Sequence, residues 1–181
     1  MRPGVVDHAR PETVWFGADP SFWYPLERDA HRFLPEAVVW RYRPGLLTYT
    51  VEKLAVPGEV LPHGITIEFW RIPEYETYGL APEDYPRVHT DSLSPRRHAF
   101  CAGDLCICAS GARRYGVTLH SGPLCLWYPH DPSARRWTHD MGLRVLIEMI
   151  RRHLLAELEW RRTGRWILEE AAHGFPVPMS A

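Results

Sequence analysis

The period of the apolar positions changes three times along the chain. In DPSFWYPLERDAHRFLPEA, Leu26, Ala30 and Phe33 recur at helical spacing. The pattern predicts a short helix from about Pro25 to Leu34, with Pro35 helping to end it. The period then falls to two. AVVWRYR, LLTYTVEKL and GITIEFWRI are rich in β-branched and aromatic residues and are separated by PG or VPGEVLPHG. Strand formers broken by turn chemistry predict an antiparallel meander. YGLAPEDYPRVHTDSLSP follows, interrupted by prolines too often for a central strand. AFCAGDLCICAS, YGVTLH and PLCLWY each suit a short strand. From Asp140 the helical period returns, with Leu143, Leu146, Ile147, Ile150, Leu154 and Leu158 on one face. Arginines and glutamates take the opposite face, with Glu148–Arg152 and Glu157–Arg161 spaced i, i+4. Asp140 is the expected cap and Gly164 stands just past the end. His153, among arginines, reads as a solvated residue. The sum is a segregated α+β fold: an N-terminal helix, an antiparallel β-meander and C-terminal helical structure.

Composition narrows the setting. The 181 residues, 45% of them hydrophobic, suffice for one domain with a real core, expected to span 1–181 with flexible ends at 1–18 and 175–181. A formal net charge of −1 offers no global excess to attract nucleic acid or an anionic membrane. No apolar run reaches the roughly 20 residues of a membrane span, and MRPGVVDHARPETVWFG has neither the apolar core nor the cleavage site of a signal peptide. The four cysteines (Cys101, Cys106, Cys108, Cys125) share one stretch instead of stapling distant segments. A reducing, cytoplasmic location is therefore expected. Only one of the 21 basic residues, Lys53, is a lysine.

The cysteines are the first candidates for chemistry. Thiolates can close a tetrahedral zinc site, but structural sites take pairs two to four residues apart across a knuckle turn. Cys106 and Cys108 instead alternate as on a strand. Cys101 and Cys108 read as small packing hydrophobes. His98, His120 and His130 flank the region, yet no HxxxH pair, GxSxG elbow or glycine-rich phosphate loop accompanies them. Nothing calls for a cofactor or a metal. Cys125, in SGPLCLWYPHD, remains open as packing thiol, ligand or nucleophile.

At this cysteine a family resemblance enters. Gly122, Leu124, Cys125, Leu126, Trp127, Tyr128, Pro129 and Asp131 are followed by Trp137, by Glu157 or Glu159, and by Trp160, Thr163, Gly164, Trp166 and His173. This block, over residues 121 to 173, resembles the active-site segment of bacterial E2-like proteins of CBASS anti-phage operons. The order of elements is that of the ubiquitin-conjugating (UBC-like, E2) fold. The resemblance implies a cysteine that accepts the C-terminal acyl group of a partner from another thioester and loses it to an amine. That partner would be the C-terminus of the operon's CD-NTase, a cyclic-oligonucleotide synthase, with an E1-like protein as a possible second partner. The family also carries a His-x-aromatic element eight residues before its cysteine, where this chain has Val117. His98, Phe100, Gly103, Leu105 and Cys106 match that element with Cys106 as its cysteine. The front half of the motif therefore points to Cys106 and the back half to Cys125. Cys125 is preferred, because its block is longer and runs unbroken into the helix.

By resemblance His98 would stabilise the oxyanion, and His130 or Asp131 would orient or deprotonate the amine. Trp127 and Tyr128 would pack under the active-site loop, with Trp137, Trp160 and Trp166 in the core. Thioester exchange is nearly thermoneutral, so the thiol needs little activation. Two alternatives accompany this reading: an inert E2-fold binding module, and a four-cysteine zinc domain.

Overall fold

The computed structural model describes residues 16–33, 38–43, 45–70, 84–91, 124–127 and 131–168. A 3-10 turn at Phe16–Ala18, within the stretch 1–18 expected to be flexible, leads into α1 (Pro20–Phe33). Helix α1 also starts earlier than its apolar spacing suggests. Proline suits the first position of a helix, and Pro20 takes it. The Asp19 carboxylate accepts the Ser21 N–H at 2.9 Å, and this hydrogen bond holds the Asp19 carboxyl below its usual pKa. Pro25 thus lies within the helix and does not open it. It cannot donate to the carbonyl of Ser21 four residues back, and Ser21 is exposed, where water can serve that oxygen.

Strands β1 (Val38–Arg43), β2 (Leu46–Leu54), β3 (His63–Trp70) and β4 (Arg87–Thr90) pair antiparallel in chain order. The first three are the meander that the alternation predicts. Gly45, at φ +76, supplies the left-handed residue that the tight β1–β2 turn requires. The ladder between β2 and β3 shifts register between Val51 and Leu54. Strand β4 lies in the proline-rich stretch expected to hold no central strand, and among the described strands it is last in the sheet order. Arg87–Thr90 itself carries no proline. A correction is needed for PLCLWY, where Leu124–Trp127 forms no strand. AFCAGDLCICAS and YGVTLH lie outside the described residues.

Alternation sends Leu47, Tyr49 and Val51 of β2, Ile65, Ile67 and Phe69 of β3, and Val88 of β4 into one core. Phe22 and Leu26 of α1 cover it, together with α2 (Gly142–Thr163) through Leu143, Leu146, Ile147, Ile150 and Leu154. The architecture is α+β, with the two helices in contact with each other. Helix α2 follows a 3-10 turn, His139–Met141, and has no side-chain cap. Asp140 instead accepts the Thr138 hydroxyl at 2.5 Å. Gly164 ends the helix at φ 74, its N–H donating to the Trp160 carbonyl at 2.7 Å, as its position predicts.

Two residues on the supposed polar face of α2 are buried: His153 is 4% exposed and Glu157 1%. His153 Nε2 lies 3.5 Å from Glu157 Oε1, Arg161 reaches Glu157 Oε2 at 3.9 Å, and Trp166 meets the His153 ring edge-on. The pairing offsets part of the cost of burying either residue alone. Glu148 pairs with Arg151 instead of Arg152. Among the described residues no helix is long and apolar enough to cross a membrane.

Candidate functional site

Cys125 lies in the irregular segment Leu124–Trp127, half-buried and in no disulfide. The segment is anchored on both sides of the thiol. Before it, Leu124 is buried and its N–H donates to the Val88 carbonyl of β4 at 2.8 Å. One backbone bond to a strand, without a ladder, fixes the chain yet leaves Cys125 outside regular pairing. After it, Leu126 and Trp127 pack on the core. The Trp127 ring lies 6.5 Å from that of Trp137, which lies 5.9 Å from Phe69 of β3. Trp137 is fully buried, and its indole N–H donates to the Gly142 carbonyl at 2.9 Å, tying the aromatic chain to the start of α2.

Asp131 follows in a half-exposed bend, ahead of a 3-10 turn at Ser133–Arg135. Beside it sits a polar cluster that the sequence pattern did not single out. Asp84 Oδ1 accepts the His139 backbone N–H at 2.8 Å, and Asp84 Oδ2 accepts from Arg136 Nη1 at 3.3 Å. Tyr85 is buried next to them. Its hydroxyl pKa is pushed up to about 12, chiefly by burial; Asp84 and Asp131 add to the rise, and Arg136, which hydrogen-bonds the phenol, opposes it. The His139 ring stacks on Phe22 with centroids 4.4 Å apart, and its Nε2 lies 2.8 Å from the Phe22 carbonyl. A carbonyl can only accept, so Nε2 carries the proton and donates. Asp84, Tyr85, Arg136 and His139 escaped the sequence reading because their partners lie 52, 55 and 117 positions away.

Of the candidate site residues, Cys125 and Asp131 lie among the described residues, Cys125 in the segment 124–127 and Asp131 at the start of 131–168. Cys106, His98 and His130 lie outside the described residues, as do Cys101, Cys108, His120, Tyr128 and His173. With three of the four thiols among them, a zinc site has no geometry to argue from. Trp127 and Trp137 pack as the sequence suggests, while Trp160 and Trp166 are only half-buried. Between the two glutamates before Trp160, burial makes the distinction: Glu157 points inward, whereas Glu159 pairs at 2.8 Å with Arg162, which is 71% exposed.

A half-exposed thiol on an anchored loop, followed by a carboxylate, suits nucleophilic acyl transfer. Comparison of the chain with protein-family models, with curated proteins and with solved structures finds no match.

Proposed function

We propose that this chain is a UBC-like, thioester-forming acyltransferase of the bacterial E2-like type, acting in the cytoplasm with Cys125 as its nucleophile. The observation that carries the reading is the placement of the LCLW segment. The described order α1, antiparallel strands, irregular cysteine segment, α2 is compatible with the order expected of an E2-like chain, and Cys125 is half-exposed with Asp131 six positions on. Cys125 Sγ attacks the carbonyl of an incoming thioester. The new C–S bond forms as the old one breaks, and the departing thiolate takes the proton that Cys125 gave up. An amine then attacks the Cys125 thioester; the C–N bond forms, the C–S bond breaks, and Asp131 receives the amine's proton. His98 is the proposed donor to the oxyanion and His130 an alternative base. The acyl partner is a CD-NTase C-terminus, and an E1-like protein would supply the first thioester.

Co-expression with the synthase, followed by non-reducing electrophoresis and mass spectrometry, tests the reading. A thiol-reducible, mass-shifted adduct is expected; Cys125→Ala abolishes it and Cys106→Ala retains it. The reverse pattern would transfer the nucleophile to Cys106. An adduct that survives both substitutions excludes a thioester on either cysteine. Val117, in place of the family's histidine, favours a second reading in which the fold only docks partners. Uniformly slow alkylation of all four cysteines by iodoacetamide would support that reading; preferential labelling of Cys125 supports the enzyme.

A further inference from the structure

In the sequence no arginine or lysine stands near Cys125: the closest are Arg114 and Arg135, ten positions or more away. The fold brings one from β4. Leu124, the residue before the thiol, donates its N–H to the Val88 carbonyl at 2.8 Å, so the segment lies against β4. Its direction follows from the aromatic chain. The Trp127 ring leads through Trp137 to Phe69, and Phe69 stands two residues beyond Ile67, which is registered against Val88. Because β3 and β4 are antiparallel, that end of β3 lies beside the start of β4 and away from Thr90. The segment therefore runs from Val88 back toward Arg87, and Cys125 comes level with Arg87.

Alternation fixes the face. Val88 and Ile67 are both in the core, so Arg87 and Glu68, registered against each other, face the opposite side of the sheet. Leu124 and Leu126 pack on the core, and the chain carries no bend until Trp127. Cys125, between the two leucines, is thereby turned to the side that carries Arg87 and Glu68. Residues level with each other on adjacent antiparallel segments have Cβ atoms about 5 Å apart, within the reach of an arginine. The guanidinium is shielded, Arg87 being 6% exposed, and a shielded charge acts more strongly than one in water. Burial raises the Glu68 pKa and Arg87 opposes the rise, so these two charges feel each other. His89, on the same face, has its Nε2 3.8 Å from Glu68 Oε2. Tyr85, just before β4, keeps its proton well past neutral pH.

Building on the thioester reading above, we propose that Arg87 is the cation that stabilises the Cys125 thiolate, with Glu68 moderating its charge. A thiolate beside an arginine forms at lower pH than one in apolar surroundings. It serves twice in the proposed reaction. It is the nucleophile that attacks the incoming thioester, and the leaving group when the amine takes the acyl chain. A guanidinium neither gives up nor takes a proton in these steps, so the proton transfers stated above are unchanged.

Iodoacetamide labelling of the full chain, followed at Cys125 by peptide mass spectrometry from about pH 6 to 10, tests this without any partner. The labelling rate follows the thiolate fraction. Arg87→Met should move the labelling midpoint up by about one pH unit and slow labelling at neutral pH about 10-fold, the effect of losing a nearby opposite charge. Arg87→Lys should keep most of the wild-type rate. Glu68→Gln should move the midpoint down. Loss of packing cannot produce opposite shifts from opposite charges, because it exposes the thiol and speeds labelling in both variants. His89→Gln leaves both charges in place and should leave the midpoint unchanged. An unshifted midpoint in Arg87→Met, a shift of the same sign in Glu68→Gln, or an equal shift in His89→Gln would each overturn the proposal. Should Arg87→Met lose its thermal unfolding transition, Glu68→Gln decides: a midpoint that does not fall overturns it. The thioester reading fails separately, through the absence of a reducible adduct on co-expression. Shifted midpoints without an adduct remove the acyltransferase and keep the stabilised thiolate. An adduct with unshifted midpoints does the reverse.

Discussion

At the scale of the residue, Gly64 and Asp91 fit closely. Asp91 Oδ1 accepts the Gly64 N–H at 2.9 Å, and the Asp91 N–H donates to the Gly64 carbonyl at 3.1 Å. A Cβ on residue 64 would lie 2.2 Å from Asp91 Oδ2, so the exposed Asp91 carboxylate would have to swing away and give up the Gly64 N–H. The neighbour and not the backbone favours glycine here, since Gly64 is not among the positive-φ glycines. Gly64→Ala is expected to destabilise the protein by about 0.5–1.5 kcal/mol, the usual net worth of one hydrogen bond, read as a lower urea midpoint. Adding Asp91→Ala removes the clash, so the double variant should lose less than the two single changes together. An unchanged midpoint in Gly64→Ala would show that the loop simply yields. The sequence cannot reveal this pair: the partners are 27 positions apart, and only the β3–β4 pairing brings them together.

At the scale of the element, α2 shows what periodicity can and cannot say. The apolar face from Leu143 to Leu154 was legible because a 3.6-residue repeat leaves one interpretation of where the core lies. The expectation of solvent for His153 and Glu157 fails because the spacing pairs Glu157 with Arg161 on a polar face and leaves His153 without a partner, whereas the fold turns the His153–Glu157 side inward. Their i, i+4 spacing makes them a pair, and a paired imidazole and carboxylate can enter a core that neither could enter alone. Truncation separates the two glutamates of this helix. Glu157→Ala strips buried His153 of its carboxylate partner and should cost about 1–3 kcal/mol. Glu159→Ala breaks only a surface pair with Arg162 and should cost less than about 1 kcal/mol. Thermal denaturation of the two variants side by side checks this; equal losses would mean that Glu157 is not in the core.

At the scale of the whole molecule, the alkaline limit of stability follows from two buried phenols. Burial pushes the hydroxyl pKa of Tyr85 up to about 12, and that of Tyr49, with Glu27 adding to the effect, higher still. In the unfolded chain both ionise near the ordinary value of about 10. Above that pH the folded state retains protons that the unfolded state has lost, so stability falls as pH rises. The melting temperature should therefore hold up to about pH 10 and decline steadily beyond it, toward and past the Tyr85 value. Tyr49→Phe should make that decline shallower. Near neutral pH it removes only a long hydrogen bond, 3.4 Å, to the Trp23 carbonyl. A decline of equal slope in the variant would remove Tyr49 as a cause.

Sequence alone determined the α+β class, the three-strand meander, and the long C-terminal helix with its apolar face and glycine stop. These depend on short-range periodicity and turn chemistry, which neighbouring residues carry between them. Only the tertiary structure decided that Arg87–Thr90 is a strand, that Cys125 is not on one, that Glu157 is buried, and that Asp84 grips Arg136 and His139. Each depends on partners brought together by chain closure over many residues, and a local pattern carries no record of which distant group will arrive.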